Sequence, residues 1–480
     1  MYYKLKKNIL FRNYKKYGLL TDNSMFGYRT YNDTHLYPGE EFVSESGCVM
    51  METLSKEPRH IDTLIDNLLD IFVNVEREEL KKDTIEFFDL FVEKGFLSCG
   101  TSVEECNNQE NVCLNREVDE KRIDYAGMSV ECSKNLFNQN DFLRSLHIEI
   151  ANECNERCVH CYIPHELKTE MINSDLFYKI IEEGKAMNII NATLSGGEPL
   201  LHKDFIYFLK KCKELDLSVN VLTNLTVLTD EIIEEMKKNP LLCVQTSIYS
   251  MDRSIHDAIT KVKGSLKKTT NNILKLKEAN IPLQISCPIM KQNKDSFHSV
   301  VNFGEEHGIP VAIDYVIFAS YDHSNCNLTN RLTLSEIGQA FDLQASDAYV
   351  NNLHEQSKEK LQLTSRDSVC SICRYYICVS AEGMVFPCIG WQENVIGDLN
   401  KQTLHEIWEK SDKIKQLRNI KWKDFPKCMQ CKDRGYCNVC MMSNSNESSN
   451  ADAFEIQKYH CEVAHLIHEK VEHYRNHSTS

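Results

Sequence analysis

Three cysteines, Cys154, Cys158 and Cys161, stand close together in the run CNERCVHC. This spacing offers three thiolates on one loop, whereas an iron–sulfur cube usually takes four cysteines, so one iron would keep an open position for chemistry. A structural zinc ion is the alternative, because it needs four ligands and His160 or His165 could supply the fourth. The segment that follows favours the iron–sulfur interpretation.

That segment, NATLSGGEPLL, reads as a β-branched strand that ends in the run GGEP at residues 196–199. Two glycines allow a backbone to approach a ligand closely, and the carboxylate beside them can accept hydrogen bonds from an ammonium group. The next two strand candidates, SVNVLTNL and CVQTSIYS, end near the polar residues Asn224 and Ser247. In parallel β/α folds, ligand-binding side chains lie at such carboxyl strand ends.

The order of cysteine loop, GGEP and polar strand ends resembles the radical S-adenosylmethionine (SAM) superfamily. The resemblance implies a 4Fe–4S cluster on Cys154, Cys158 and Cys161, whose open iron chelates the amino and carboxylate groups of SAM. The family then reduces the sulfonium and releases a 5′-deoxyadenosyl radical. His160 stands where the family more often has another aromatic residue. The residues that the resemblance assigns to SAM are Gly196, Gly197, Glu198, Pro199, Asn224, Ser247, His160 and Tyr162.

Six short apolar strand candidates alternate with amphipathic helical runs from Leu146 to about Val316. They are LHIEI, NATLS, SVNVL, CVQTS, PLQIS and VAIDYV. Repeated β/α units indicate a parallel sheet and an α/β fold. By resemblance this is the family's partial (β/α)6 TIM-like barrel, open on one side to admit a large substrate.

A second cysteine-rich region extends from Cys370 to Cys461 and holds nine cysteines. Apolar alternation on both sides of Ala381-Glu382-Gly383 predicts a β-hairpin with a glycine turn, and the run CMQCKDRGYCNVC follows. The pattern resembles the SPASM iron–sulfur domain of radical SAM enzymes that modify peptides. It departs from that pattern in its last pair, which is C-x2-C rather than C-x3-C.

The SPASM resemblance implies two auxiliary 4Fe–4S clusters. One would be held by Cys428, Cys431, Cys437 and Cys461. The other would be held by Cys388, Cys440 and two of Cys370, Cys373 and Cys378, and the offset from Gly383 favours Cys370 and Cys373. A pair of zinc knuckles is the alternative, since C-x2-C is also a zinc spacing.

The first hundred residues predict a separate winged-helix-like unit, with the strands ILFRN, YGLLT and FGYRTY followed by three amphipathic helices. Residues 44–97 contain thirteen acidic and six basic side chains, which is the wrong sign for helices that enter a nucleic-acid groove. Residues 1–20 contain six basic side chains and no acidic ones. The unit resembles the recognition domain of enzymes that modify ribosomally made peptides, where the leader of a precursor peptide adds a strand to the small sheet.

Four segments are therefore expected along the chain. They are a winged-helix-like leader-peptide recognition domain at 1–98, a linker at 99–143, a radical SAM partial barrel at 144–345 and a SPASM domain at 346–480. The linker cysteines have spacings that match no metal site and carry no assigned role; they are Cys99, Cys106, Cys113 and Cys132.

The composition excludes several classes of protein. A net charge of −15 argues against a general nucleic-acid role, because nothing offsets phosphate repulsion. No apolar stretch reaches the length of a membrane span, and no signal peptide is evident. Twenty-one cysteines in 480 residues, without an export signal, indicate metal ligation rather than a disulfide scaffold. We therefore expect a cytoplasmic protein with reduced thiols.

The whole layout resembles the maturases of sactipeptides and ranthipeptides, and the segment SIYSMDRSIHDAITKVKGS is also similar to that group. The resemblance implies a ribosomally made precursor peptide as substrate, an external reductant such as flavodoxin or ferredoxin, and a thioether between a cysteine sulfur and a carbon. The alternatives are carbon–carbon or carbon–oxygen cross-linking, sulfatase activation, and an iron–sulfur peptide-binding protein without turnover. The sequence assigns no catalytic acid or base.

Overall fold

The computed structural model describes residues 1–15, 17–22, 38–109, 141–167 and 170–478. The predicted strand FGYRTY, Cys113 and Cys132 lie outside the described residues. None of the described helices is long and apolar enough to cross a membrane.

The N-terminal part contains antiparallel sheets and a helical layer. Its described strands are β1 (Tyr2–Leu5), β2 (Leu10–Asn13), β3 (Gly18–Thr21), β4 (Glu40–Val43), β5 (Arg59–His60) and β6 (Leu97–Gly100), arranged as β5-β1-β6 and β2-β3-β4. Its helices are α1 (Glu45–Glu52), α2 (Ile61–Leu69), α3 (Arg77–Glu93) and α4 (Val103–Asn108). Strands β2 and β3 and helices α1 to α3 lie where the sequence predicts them, whereas β1, β4, β5 and β6 are additions.

The described residues place six parallel strands at the centre of the molecule, in the order β12-β11-β10-β9-β8-β7. They are β7 (Ser145–Ala151), β8 (Asn191–Gly196), β9 (Ser218–Leu222), β10 (Leu242–Ser247), β11 (Leu283–Pro288) and β12 (Val311–Asp314). The helices that connect them are α5 (Ser174–Ala186), α6 (Phe205–Glu214), α7 (Asp230–Met236), α8 (Arg253–Thr260), α9 (Ser265–Glu278) and α10 (His298–His307). The predicted α/β partial barrel is confirmed.

Alternate residues of β7 face opposite sides of the sheet. Leu146, Ile148 and Ile150 join the apolar core that includes the helices. On the other face, His147 is hydrogen-bonded to Ser195 of β8. The inner face of the barrel is therefore polar, while the outer face packs against helices.

The C-terminal part continues the same sheet. Strand β13 (Tyr376–Val379) runs parallel to β7 and forms an antiparallel hairpin with β14 (Met384–Phe386), which pairs with β15 (Gly397–Asp398). Gly383 has φ +84° in the hairpin turn, a conformation that glycine adopts without strain, so the predicted glycine turn is confirmed. The helices are α11 (Leu334–Gln344), α12 (Asp347–Gln362), α13 (Leu404–Lys410), α14 (Asp412–Asn419), α15 (Pro426–Met429), α16 (Met441–Glu447) and α17 (Lys458–Ser478).

The N-terminal part docks on the barrel at the amino ends of the strands. Arg12 of β2 is buried and donates from Nε to the Ile189 carbonyl at 2.9 Å. Its guanidinium also pairs with Asp216 at 3.5 Å, and Tyr14 O–H donates to the Asn188 carbonyl at 3.1 Å. Since these partners directly precede β8 and β9, the N-terminal part lies at the end of the barrel opposite to the carboxyl strand ends.

Candidate functional site

The first cysteine motif lies in the loop that follows β7. Cys161 N–H donates to the Cys158 carbonyl at 3.2 Å, which closes a tight turn. Burial raises the pKa of the Cys158 thiol well above its usual range, and the charges of Glu156, Cys161 and Cys154 raise it further. The three thiols share this one loop, and a set made of thiols alone fits the chemistry of an iron–sulfur cluster.

Segments from two sides hold this loop in place. The N–H groups of Arg157 and Val159 donate to the carbonyls of Thr260 and Ile259 at the end of α8, both at 3.0 Å. From the segment after β12, Asn330 Nδ2 donates to the Val159 carbonyl at 2.9 Å. The loop conformation is therefore set by packed elements, which is what a precise ligand site requires.

Close backbone packing accounts for both glycines of the GGEP run. Gly196 has φ +121°, and a Cβ there would overlap the Ala151 carbonyl. At Gly197, a Cβ would overlap the carbonyls of Asn152 and Glu153. Gly197 N–H also donates to the Ala151 carbonyl at 2.5 Å. The glycines let this turn approach the start of the cysteine loop, in addition to any role toward a ligand.

Glu198 organises the ends of two strands. Its carboxylate accepts hydrogen bonds from Thr223 Oγ1 at 2.5 Å, Asn224 N at 2.7 Å and Leu200 N at 3.0 Å. Burial raises the pKa of Glu198 to about 7 against the opposing effect of these donors. A carboxylate has about four acceptor positions, so one is left for the amino group that the sequence assigns to this residue.

Asn224 and Ser247 both lie at carboxyl strand ends, as the sequence predicts. Asn224 Nδ2 donates to Asn155 Oδ1 in the cysteine loop at 2.7 Å, and its Oδ1 accepts from Thr226 Oγ1 at 2.7 Å. Ser247 stands beside Ser286 in the register of β10 and β11. The Asn224 side chain therefore links two loops, whereas sequence reasoning assigned it only to a ligand.

His160 and Tyr162, the aromatic residues of the cysteine motif, make different contacts. The His160 ring meets the Tyr249 ring edge-on, with centroids 5.0 Å apart. Tyr249 O–H in turn donates to Cys158 Sγ at 3.9 Å. The Tyr162 carbonyl accepts from Tyr321 N–H at 3.2 Å. Tyr249 and Tyr321 are thus neighbours of the motif that the sequence did not single out.

Tyr162 connects the first cysteine motif with the C-terminal cysteines. Burial raises its pKa well above the usual range, and the charges of Glu149, Cys161, Cys378 and Cys388 raise it further. One phenol is therefore within electrostatic reach of both cysteine sets.

The cysteines of the C-terminal part form separate groups. In one group, burial and the charges of Cys461, Cys428 and Cys431 raise the pKa of Cys437 to about 12. These are the four residues that the sequence predicts for one auxiliary cluster. Cys461 lies in the first turn of α17.

The other group contains five cysteines for four ligand positions. Burial and the charges of Cys388 and Cys370 raise the pKa of Cys440 to about 12. Burial and the charges of Cys388, Glu149 and Cys373 raise the pKa of Cys378. Cys378 therefore belongs to this group and stays a candidate ligand beside Cys370 and Cys373, as the sequence analysis left open. Within the described part of the chain, no three or more Cys, His, Asp or Glu side chains converge to hold a single metal ion.

Glu149 is a site residue that sequence reasoning missed. It lies on the inner face of β7 with a side chain 2% exposed. Its Oε2 accepts from Gln392 Nε2 at 2.8 Å, whereas Oε1 has no hydrogen-bond partner among the described residues. Burial raises the pKa of Glu149 to about 8 despite the Gln392 hydrogen bond, and Glu382 adds to the rise. A carboxylate within LHIEI, a strand that the sequence predicts to be central in a parallel sheet, is the signal that could have identified it.

A surface groove of about 590 Å³ lies beside the GGEP turn. Its lining comes from residues 171–175 and 201–204. None of the site residues predicted from the sequence belongs to it.

Two family models match parts of the chain. Residues 148–304 match the Radical SAM superfamily, and residues 370–432 match SPASM, an iron-sulfur cluster-binding domain. The first match contains the cysteine loop and the GGEP turn, and the second contains the hairpin and the start of the last cysteine cluster. These domains imply 4Fe–4S clusters and SAM as cofactors.

Named relatives match parts of the chain as well. The chain is 24% identical over 322 residues to an AdoMet-dependent heme synthase of Methanosarcina barkeri, which covers 61% of this chain and 89% of the relative. It is 22% identical over 326 residues to a PqqA peptide cyclase of Bradyrhizobium diazoefficiens, and this match covers 64% of this chain and 84% of the relative. Over 158 residues it is 32% identical to the sporulation killing factor maturation protein SkfB of Bacillus subtilis, and this match covers 33% of this chain and 38% of the relative.

The fold is shared with a solved structure over nearly the whole chain. SuiB of Streptococcus suis, bound to precursor peptide SuiA, superposes with a TM-score of 0.63 at 14% identity, over 95% of this chain and 99% of SuiB. At this identity the likeness concerns the fold, and its coverage includes the N-terminal part. The cysteine loop, the polar strand ends and the two domain matches agree: the chain carries a radical SAM domain followed by a SPASM iron–sulfur domain.

Proposed function

We propose that this chain is a radical SAM enzyme that joins a cysteine sulfur to a carbon within a ribosomally synthesised precursor peptide, forming a thioether. The relatives named as a peptide cyclase and as a maturation protein, and the peptide-bound SuiB structure, support a peptide substrate. The observation that carries the proposal is that the cysteine loop, the GGEP turn and Asn224 meet through hydrogen bonds at the carboxyl ends of β7 to β9.

The cysteine sets define where cofactors would be held. Cys154, Cys158 and Cys161 would hold the first 4Fe–4S cluster, the residues around GGEP would hold SAM, and the two C-terminal groups would hold two auxiliary clusters. When bound, these groups supply a 5′-deoxyadenosyl radical and accept an electron, while the protein supplies orientation and exclusion of water. Electrons for the first cluster would come from an external reductant such as flavodoxin or ferredoxin in the cytoplasm.

The bond change explains why both cysteine sets are needed. Joining a thiol sulfur to a C–H carbon removes one hydrogen atom, one proton and one electron from the peptide. The hydrogen atom must leave on the side of Cys161, and the electron must leave toward Cys388. A peptide residue held between the two cysteine sets would satisfy both requirements at once.

The N-terminal part is proposed to bind the leader of the precursor. Strand β4 is an edge strand of the β2-β3-β4 sheet among the described residues. A peptide can extend such an edge by main-chain hydrogen bonds, while side-chain pockets supply specificity.

The test is anaerobic reconstitution with iron and sulfide, followed by reaction with SAM, dithionite and a cysteine-containing precursor peptide encoded near the gene. We expect wild-type protein to form 5′-deoxyadenosine and cross-linked peptide, and Cys158→Ala to form neither. Cys326→Ala is the matched control, because Cys326 is exposed and belongs to no cysteine group. Product formation by Cys158→Ala would contradict the proposed function.

A further inference from the structure

We propose that Glu149 and Glu382 form a subsite for a cationic side chain, lysine or arginine, of the precursor peptide. The inference rests on the proposed function, since it names a chemical group of that same substrate. It assigns a binding role to two carboxylates that lie on different parts of the molecule, the inner face of β7 and the β13–β14 turn.

The first support is a buried acceptor that lacks a donor. Glu149 is 2% exposed, and only its Oε2 has a hydrogen-bond donor, Gln392 Nε2. Buried polar atoms in folded proteins nearly always have a partner, and those that lack one need an explanation. A donor group brought by the substrate would complete the hydrogen bonding of Glu149 Oε1.

The second support is a neighbouring carboxyl group, Glu382, and the lack of a cationic partner for either carboxyl group among the described residues. Burial raises the pKa of Glu149, and the charge of the exposed Glu382 adds to the rise. Asn152 Nδ2 donates to Glu382 Oε1 at 3.1 Å, but an amide carries no charge. In the described part of the chain, neither carboxylate forms an ion pair with a Lys, Arg or His. Because burial and the neighbouring charge disfavour the ionised form of Glu149, a cation that binds here would relieve the repulsion and let Glu149 ionise, which a neutral donor would not do.

The third support is the surroundings of the two carboxylates. The charges of Glu149, Glu382 and Cys161 all act on Tyr321, and Tyr162 is affected by Glu149 and Cys161. Tyr321 N–H donates to the Tyr162 carbonyl at 3.2 Å, which holds Tyr321 against the cysteine loop. A cationic side chain bound here would therefore hold its own residue, or the next one, beside the first cysteine motif.

The ammonium group of SAM is a different cation with a different place. Glu198 keeps one acceptor position at the GGEP turn, on the next strand of the sheet. The subsite on Glu149 and Glu382 is thus left to the peptide.

The experiment compares peptides and enzyme variants in one assay with the full-length reconstituted protein. The neighbouring cysteine-containing precursor is made with each core lysine replaced by norleucine, and each core arginine by citrulline, one at a time. Peptide modification is followed by mass spectrometry with wild-type, Glu149→Gln, Glu382→Gln and the control Glu278→Gln, whose side chain is exposed at the end of α9.

We expect one neutral replacement to lower kcat/KM for peptide modification by about tenfold or more, mainly through KM. Glu149→Gln should cause a loss of similar size, Glu382→Gln a smaller one, and Glu278→Gln none. When Glu149→Gln acts on the sensitive peptide, kcat/KM should fall no further than it falls with either change alone, because both changes remove the same interaction.

The inference is overturned if every peptide with a neutral replacement reacts like the parent peptide. It is overturned as well if the losses in kcat/KM from the peptide replacement and from Glu149→Gln multiply. It is also overturned if a core without lysine or arginine is modified. These outcomes leave the proposed function standing, since wild-type protein still modifies the peptide. Failure of wild-type protein to modify any precursor would overturn the proposed function, and the inference with it. The altered peptides leave the enzyme untouched, so a folding defect in Glu149→Gln cannot imitate the expected result.

Discussion

Two buried glutamates near the cysteine loop differ in how their charge is satisfied. Glu198 accepts three hydrogen bonds from protein donors, whereas Glu149 accepts one. The first carboxylate therefore ties the GGEP turn to the strand end at Asn224. The second has free acceptor capacity on the inner face of the barrel, which is the property expected of a group that meets a substrate.

The raised pKa of Glu149 makes stability depend on pH. Its pKa moves from 4.5 to about 8 on folding, so the folded state favours the protonated form, and this stabilisation is lost as pH rises through 8. From pH 6 to pH 8, the free energy of unfolding of wild-type protein relative to Glu149→Gln should fall by about 2 kcal/mol. Urea unfolding of both metal-free proteins at the two pH values measures this, and a constant difference would contradict it.

Gly197 should tolerate no side chain. A Cβ would overlap backbone carbonyls of Asn152 and Glu153, so Gly197→Ala must move the GGEP turn away from the cysteine loop. Misplacement of about 1 Å can cost on the order of a hundredfold in rate, and we expect such a loss in 5′-deoxyadenosine formation. Gly338→Ala is the control, because a Cβ there meets the flexible end of Lys470 at 3.3 Å. Equal rates for the two variants would refute this account.

At the scale of elements, the cysteine loop depends on the end of α8. Asp257 accepts hydrogen bonds from Gly264 N at 2.5 Å, Ser265 Oγ at 3.0 Å and Leu266 N at 3.2 Å. These bonds join α8 to α9, next to the Thr260 carbonyl that holds the loop. The Asp257 carboxylate thus fixes α8 and α9 relative to each other and supports the cysteine loop that α8 holds.

Removing that carboxylate should weaken the loop. We expect Asp257→Ala to destabilise the protein by about 3 kcal/mol, because buried donors lose a charged acceptor, and to bind less iron on reconstitution. Asp295→Ala serves as control, since Asp295 is 88% exposed. Iron content and melting temperature are measured for both, and matching values would show that Asp257 does not support the loop.

The elements differ in how far the sequence predicts them. The six barrel strands are predicted well because each is a buried, β-branched run bounded by helices. Strand β1 escapes prediction because its partner β6 lies far away in the chain, with Tyr2 opposite Gly100, and four residues carry little periodicity. The hydrogen bond from Asn224 to Asn155 is not predicted either, because side-chain partners on different loops depend on the folded geometry.

At the scale of the whole molecule, the N-terminal part and the cysteine loop lie at opposite ends of the barrel strands. Arg12 meets Ile189 at the amino end of β8, whereas the GGEP turn follows the carboxyl end of the same strand. Six residues of β8 span about 20 Å. A peptide bound at both ends must cover at least this distance.

The length of peptide between leader and core should therefore matter. Shortening it below about six residues should abolish leader-dependent modification, because an extended chain covers at most about 3.5 Å per residue. Inserting glycine and serine residues should be tolerated. Mass spectrometry of a series of precursors measures the threshold, and full modification of the shortest precursor would exclude leader binding at the N-terminal part.

The most direct test of the central proposal is mass spectrometry of the precursor peptide after anaerobic reaction, with thiol alkylation of the product. We expect 5′-deoxyadenosine together with a loss of two hydrogens per link and a cysteine that no longer reacts with the alkylating reagent. A loss of two hydrogens with the cysteine still alkylated would contradict the thioether, and 5′-deoxyadenosine with an unchanged peptide would contradict the peptide substrate itself.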